Sequence, residues 1–375
     1  MKKIDYKEFI YKAFIIFSSL LIALFLGGII FVIAGANPIE AYIVMFTEPL
    51  NNLYGISEML MRSAPLMLVA LGIAISFRSG ILNIGGEGQI LMGAISGTAF
   101  ALYFSELPRI ILIPSVFIAG FIGGAIWAGI AGYLKAYLEV NEILSTVMLN
   151  YIATQIFIFL IRGPLIDKKE ILNGTGVPQT ALLDKSVWLH QLIKGTRLHT
   201  GIFIAVIVAI VVYLFLWKTT IGYKFRAVGA EAKAAKYAGM NVKKYLMLAI
   251  VISGGLSGMA GTMEVIGVHH RAMDGISAGY GFSGIVVALF GGLHPLGIIP
   301  ASVLFGLLIL GADMMQRAVD VPSAIVLAIQ GLIILSIVST RIFFVNKRIK
   351  DRIMKILFPL KRNKQELELS PKEVV

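Results

Sequence analysis

The chain is predicted to be an all-α integral membrane protein of about ten transmembrane helices, with glycine-rich segments that break helices or re-enter the bundle. Three observations predict it. Hydrophobic residues fill 58% of the 375 positions and charged residues only 14%, whereas soluble domains run near half apolar and a quarter charged. Mean hydropathy is +0.86, and the apolar residues fall in blocks of roughly 18 to 24, the length a helix needs to cross about 30 Å of hydrocarbon. Finally, the blocks lack the alternation of barrel strands, so a backbone that must pair its own polar groups in lipid is left with the helix.

Crossings are expected near residues 13–34, 58–77, 88–104, 110–134, 142–161, 200–217, 245–266, 281–293, 296–313 and 323–340. The first follows a basic start, Met1 to Lys12, and precedes Ala34-Gly35-Ala36, which resembles a signal cleavage site. Its apolar run of roughly 22 residues exceeds the usual 7 to 15 of a signal peptide and favours a retained helix over a cleaved one. Residues 35–57, with Pro38, Glu40, Glu48 and Pro49 and no Lys or Arg, read as an outer loop or a short interfacial helix. The connection 162–199 is too polar to cross and is punctuated by Gly163, Pro164, Gly174, Gly176 and Pro178. Residues 1–340 are thus expected to form a single transmembrane domain, with a cytoplasmic loop at 218–244 and a basic cytoplasmic tail at 341–375. That tail ends in QELELSPKEVV, a disorder-prone composition.

The formal net charge of +12 would suggest nucleic acid in a soluble protein. Here the basic residues lie between spans and at the ends, so they read as an orientation signal and no nucleic-acid partner is expected. With both termini inside, cytoplasmic segments hold 23 of the 33 Lys and Arg, as the positive-inside rule requires of a multi-pass plasma-membrane protein. The six basic residues of 162–199 oppose this, although long loops obey the rule less strictly. Cysteine is absent, which excludes disulfides, a thiol catalyst and Cys-ligated zinc. There is no Ser/His/Asp array or metal-ligand spacing either. No catalytic residue, metal or cofactor is expected, and the adjacent His269 and His270 read as a solvated loop or a partner contact.

The most informative segment is Phe77 to Gln89, FRSGILNIGGEGQ. Three glycines in four positions, interleaved with Asn83, Glu87 and Gln89, cannot form a stable lipid-facing helix. The segment is either a turn between spans or a break that lines protein or water. A faint echo, Ser79-Gly80-Ile81 against Ser283-Gly284-Ile285, fits interrupted helices at matching positions of two halves. Polar residues within spans are costly and tend to face a pathway. Asn83, Glu87, Gln89, Asn141, Glu142, Asn150, Gln155 and Glu264 are the candidates for solute contact.

The other informative segment is 218–244. Glu231 to Ala238 is a run of strong helix formers, with Gly229 before it and Gly239 placed as a C-terminal cap. A short helix across the cytoplasmic face is expected. It lies on the membrane surface or enters a partner's groove through its alanines, Ala234 and Ala235.

Arg78-Ser79-Gly80 with Asn83-Ile84-Gly85 and Glu87-Gly88-Gln89, then Val140-Asn141-Glu142-Ile143 with Thr146 to Ala153, then Gly222 to Gly239, resemble the permeases of nucleoside and simple-sugar ABC importers. These belong to the ribose and branched-chain amino acid permease group. The resemblance spans residues 13–340, and 141–153 point to the nucleoside branch. It implies cytosolic ATP-binding subunits docked on a coupling helix that involves Gly229, Glu231, Ala234, Ala235 and Gly239. It also implies a second permease subunit and an extracellular lipoprotein that delivers solute. The chain has no Gly-x-x-x-x-Gly-Lys-Ser/Thr loop of its own, in keeping with a transport subunit that is not itself an enzyme. The expected function is therefore an ABC importer permease for a nucleoside. The alternatives are a sugar or branched-chain amino acid permease, or an ion-coupled secondary transporter with Glu87 or Glu264 as its ion site.

Overall fold

The computed structural model describes residues 6–172 and 177–319, with scattered positions between 325 and 354. Among the described residues the regular elements are helices, with isolated bridges but no strands. The chain is an all-α membrane protein, and six of its helices are long and apolar enough to cross a bilayer. Residues 39–320 form one compact unit, and 1–38 with 321–375 form another. In the latter, α1 (Tyr6–Ile33) is a continuous helix of 28 residues. The expected crossing at 323–340 and the tail from 341 fall for the most part outside the described residues.

The larger unit opens with α2 (Pro38–Asn51), a 14-residue helix in the segment read as a loop or a short helix. The full-length helices are α3 (Leu53–Arg78), α5 (Arg109–Leu138), α6 (Glu142–Arg162), α8 (Gly201–Lys218), α11 (Val242–Glu264) and α13 (Pro295–Val319). Between them lie α4 (Gly86–Tyr103), the short α7 (Lys168–Leu172), α9 (Thr220–Ala230), α10 (Ala232–Tyr237) and α12 (Tyr280–Phe290). A π-helical stretch, Val265–His269, prolongs α11.

Two departures from expectation matter for function. The crossing expected at 281–293 is α12, whose 11 residues span only about 16 Å at 1.5 Å per residue, half a bilayer. The loop 218–244 carries two helices, because Thr219 caps α9 by accepting from Gly222 N–H at 3.0 Å. Gly229 accordingly lies inside a helix and not in a linker.

Glycine governs the packing, since small residues let backbones touch where lipid supplies no hydrophobic drive. Along α4 and α11, Gly93 meets Gly258 and Gly97 meets Thr262, so the two helices run parallel. Along α5, Gly120 and Gly124 meet Gly258 and Gly254 in the opposite sense. A Cβ on Gly124 would lie 2.8 Å from Gly258 Cα. Against this slab stands α3, buried along nearly its whole length from Met59 to Ser76. Gly72 of α3 faces Ser253 of α11, which puts Gly72 level with the start of α4.

The connection after α6 folds back on the end of α11. Thr180 donates to Ala272 O at 2.9 Å, Leu183 to His270 O at 2.9 Å and Leu189 to Ile266 O at 3.0 Å. Trp188 stacks on His270 with ring centroids 3.7 Å apart. Beneath them His199, 1% exposed, accepts the Gly201 N–H at its Nδ1. Burial, with His270 adding to it, pushes the His199 pKa down to about 4. Its neutral form is the folded form, and the unfolded chain binds the proton first. The resulting stability is complete above pH 6.5 and is lost progressively as pH falls toward 4, about 3 kcal/mol in all. Thermal unfolding at pH 7.5 and at pH 4.5 should show this loss in the parent protein and much less of it in His199→Gln. Equal acid sensitivity in both would place its source elsewhere.

Candidate functional site: two helix ends meeting at Glu87

After Arg78 the chain turns at Ser79 and at Gly80, whose φ of +83° favours glycine. It then returns as an extended segment to start α4 beside the middle of the bundle. Of the two readings of 77–89, the structure has the break. α12 starts at the same depth, where Gly281 lies against Gly86 and Glu87, and Gly284 against Val69 of α3. From there it runs parallel to α3 and ends beside Arg78. So α4 and α12 depart in opposite directions from one point, and both put their N-termini there. The echo of Ser79-Gly80-Ile81 in Ser283-Gly284-Ile285 does not extend to conformation, since Gly80 forms a turn and Gly284 sits inside α12.

Three sequence candidates brace this break. Asn83 and Gln89 pair their side-chain amides reciprocally, each N–H donating across 2.9 Å. Asn83 also donates to Ser253 Oγ at 2.8 Å and accepts from Gly85 N–H at 3.0 Å, which uses its hydrogen-bonding capacity in full. Asn150, from α6, accepts from Gly88 N–H at 2.9 Å and donates to Ile84 O at 3.0 Å. These side chains satisfy backbone groups that an interrupted helix leaves open.

Glu87 differs. It is 7% exposed; its Oε1 accepts from Gly281 N–H at 3.2 Å, and its Oε2 is buried without a hydrogen-bond partner. The carboxylate thus sits where the positive ends of two helices converge, with one oxygen bound to an N–H of α12, the Ser277 side chain and the Phe282 N–H close by, and Oε2 making no hydrogen bond of good geometry. Such an oxygen can accept a hydrogen bond from an O–H or N–H of a solute.

The remaining candidates lie elsewhere. Asn141 caps α6, accepting from Ile143 and Leu144 N–H at 2.9 and 3.2 Å, and Glu142 pairs with Lys135 at 2.7 Å. Both stand at the end of the helix, away from the break. Gln155 is exposed along α6. Glu264 lies about 15 Å beyond the break, ten residues on from the Gly254 that faces Gln89. It is 4% exposed and 3.7 Å from His269.

Sequence reasoning missed the ion pairs near Glu264. By sequence alone Arg62 reads as snorkelling or as pairing with Glu58 one turn away. Instead, Glu58 accepts from Nε and Nη2 of Arg197, at 2.8 and 2.5 Å, and Arg62 reaches Asp313 at 2.7 Å. The fork of Arg197 matches a buried carboxylate in a way the lone Nη1 contact of Arg62 does not. These residues border a polar cavity of about 360 Å³ with Tyr54 and Gln316.

At the opposite end, Arg78 donates to Leu293 O at 2.5 Å and to Gly292 O at 3.2 Å, just past the C-terminus of α12, where a cation is favoured. The same guanidinium lies 4.8 Å from the Trp217 ring, with Arg226 at 5.5 Å. Gly229 of α9 packs on the Arg78 and Ser79 backbone, and a Cβ there would come within 2.8 Å of Ser79 C. α10 begins at Glu231, whose side chain caps it by accepting from Lys233 N–H at 3.2 Å. It closes at Gly239, with φ +78°. The expected limits of this helix are therefore met. Ala235 is buried and Ala234 exposed.

A polytopic helical bundle in which a helix that starts at a break and a half-length helix converge on a polar centre defines a membrane transport protein. The chain belongs to the family described as branched-chain amino acid transport system / permease component, whose profile matches residues 55–338. It is 36% identical to the nucleoside ABC transporter permease protein NupB of Lactococcus lactis, covering 82% of this chain and 86% of that one. It is 34% identical to the guanosine ABC transporter permease protein NupP of Bacillus subtilis, over 89% and 95%. It is also 33% identical to the glucose ABC transporter permease protein TsgB13 of Haloferax volcanii, over 87% of each. Among solved structures, PsaBC from Streptococcus pneumoniae in complex with Fab matches 84% of this chain and 99% of that one, at 17% identity and a TM-score of 0.46.

Proposed function

We propose that the chain is the translocating permease subunit of an ABC importer and that its solute is a nucleoside. The observation that carries the reading is the likeness, over most of both chains, to permeases named for nucleosides and guanosine. Oε2 of Glu87 agrees with it, because a nucleoside offers sugar hydroxyls and base N–H groups as donors. In this reading Asn83, Gln89 and Asn150 hold the break open for solute, and Glu87 receives it. Glu264 lies on the outer approach, and Asn141 and Glu142 lie at the inner mouth of the pathway. A sugar is the second reading, favoured by the Haloferax relative.

Ten crossings, with α4 and the half-length α12 counted, and cytoplasmic termini are part of this proposal, as is a cytoplasmic 218–244. ATP-binding subunits would dock on α9 and α10, a second permease would complete the pathway, and an extracellular lipoprotein would hand over solute. A cysteine placed at Lys236 should resist an impermeant thiol reagent in intact cells, and one at Lys185 should react. The reverse pattern would sink the orientation.

Proteoliposomes test the function. Labelled nucleoside should accumulate only when the cognate ATP-binding and solute-binding subunits and ATP are present. Accumulation by this chain alone under an ion gradient would make it a secondary transporter, and accumulation of glucose but not nucleoside would move the solute to the second reading.

A further inference from the structure

Two cavities lie end to end along α5 and α11, and the transport reading uses neither. The first, about 570 Å³, is an apolar furrow between the helices, walled by Phe121, Gly129, Ile130, Leu134, Met247 and Val251. The second, about 670 Å³, starts one residue further along both helices, at Lys135 and Leu246, and is closed by α10. Lys135, Lys233, Lys236 and Lys243 line it against one acid, Glu139. Glu142 occupies Lys135 at 2.7 Å, which leaves three lysines of α10 and α11 facing a cavity with one carboxylate.

The outer face of α5 marks the depth at which one cavity gives way to the other. Ile118, Ile122, Ile126 and Ile130 recur every fourth residue, all 41% exposed or more, as a lipid-facing ridge does. Tyr133 and Tyr137 then replace them, their rings stacked 5.2 Å apart. Tyrosine is favoured where hydrocarbon meets headgroups. Lys243 Nζ lies 5.7 Å from the Tyr137 ring centroid, so the lysine cavity stands at headgroup level and the furrow at acyl-chain level.

We propose that the two cavities together are a binding site for an anionic phospholipid, with an acyl chain in the furrow and the phosphate among Lys233, Lys236 and Lys243. Charge and polarity choose this occupant. A zwitterionic lipid would fill the furrow but bring no net charge to the lysines, and a water-soluble acid would leave the furrow unused. Only the assignment to the cytoplasmic leaflet rests on the orientation proposed above; lipid binding does not depend on the nucleoside reading or on ATP.

Native mass spectrometry of the full chain in neutral detergent tests the site with three probes. These are phosphatidylglycerol, phosphatidylcholine with the same acyl chains, and glycerol 3-phosphate. Phosphatidylglycerol should be retained about ten-fold more strongly than phosphatidylcholine. Lys236→Gln with Lys243→Gln should abolish that preference. A Cβ on Gly129 would meet only Val251 Cγ2 at 3.6 Å and Met247 Cε at 3.7 Å, ordinary contacts, so Gly129→Leu fills the furrow without moving backbone. That variant should weaken both lipids. Equal retention of the two lipids, or an undiminished preference in the lysine variant, would overturn the proposal. Glycerol 3-phosphate displacing phosphatidylglycerol at equal concentration would make this a free phosphate site instead. Loss of bound ATP-binding subunits by the lysine variant, with lipid retention unchanged, would assign the cavity to that protein partner.

Discussion

Gly281→Ala should leave the chain inserted in the membrane and reduce uptake about ten-fold or more. A Cβ there would lie 2.6 Å from Gly86 C and 2.7 Å from Glu87 Cα. These are backbone atoms at the start of a helix and cannot rotate away. Overpacking of this kind costs about 1–3 kcal/mol, and 1.4 kcal/mol is a factor of ten in an equilibrium. The strain falls on the contact that fixes one helix N-terminus against the other and Glu87 between them. Gly86→Val should behave alike, since its Cβ would meet Gly281 Cα at 3.0 Å. Gly85→Ala should be milder, because its Cβ meets first the Gln89 side-chain nitrogen, at 2.9 Å, and a side chain can shift. Uptake measured in the reconstituted transporter, normalised to inserted protein, checks the ranking. A fully active Gly281→Ala protein would mean that the junction is a packing detail.

Ala234→Arg should abolish ATP-driven uptake while the chain inserts and folds as before. Ala234 is exposed on α10, and the new side chain would project from the face that the proposed ATP-binding subunit covers. A misfitted, desolvated charge at such an interface costs several kcal/mol, enough to lower association by about two orders of magnitude or more. Ala235 is the wrong probe, although the sequence makes the two residues look equivalent. It is 4% exposed, so a large residue there would disturb this chain's own packing. Co-purification of the ATP-binding subunits with each variant separates the cases. If Ala234→Arg retains its partners and its coupled uptake, α10 is a surface helix and the docking reading fails.

What was legible in the sequence was whatever depends on near neighbours. Glu231 and Gly239 announce the two ends of α10 because capping is decided within a few residues. The break at 79–86 was visible because Gly85, Gly86 and Gly88 with Asn83 and Gln89 violate the requirements of a lipid-facing helix. The half-length of α12 was not visible. Residues 281–293 are apolar but for Ser283, and composition cannot tell half a membrane from the end of a span when the start of the helix is packed on Gly86 of a distant segment. Likewise, the pairing of Glu58 depends on Arg197, 139 residues away, which spacing along one helix cannot name. Asn83, Gln89 and Asn150 stand out in the sequence as polar residues costly within spans. Only the structure separates those that saturate the backbone from Glu87, whose Oε2 makes no hydrogen bond of good geometry.

The junction of α4 with α12 also bears on how the protein is made. A segment leaves the insertion machinery for lipid when its own side chains outweigh the cost of its backbone, and α12, at 11 residues, is too short to reach the far headgroups alone. Its N-terminal N–H groups and those of α4 would face hydrocarbon with nothing to bind until Glu87 and Asn150 arrive. Biogenesis therefore has an order: α3, α5, α6 and α11 must already stand together as a walled enclosure before the ends of α4 and α12 can settle. A chain interrupted between α11 and α12 would carry a buried acid with its Oε1 as bare as its Oε2, which makes this junction a natural point for quality control to recognise an unfinished permease.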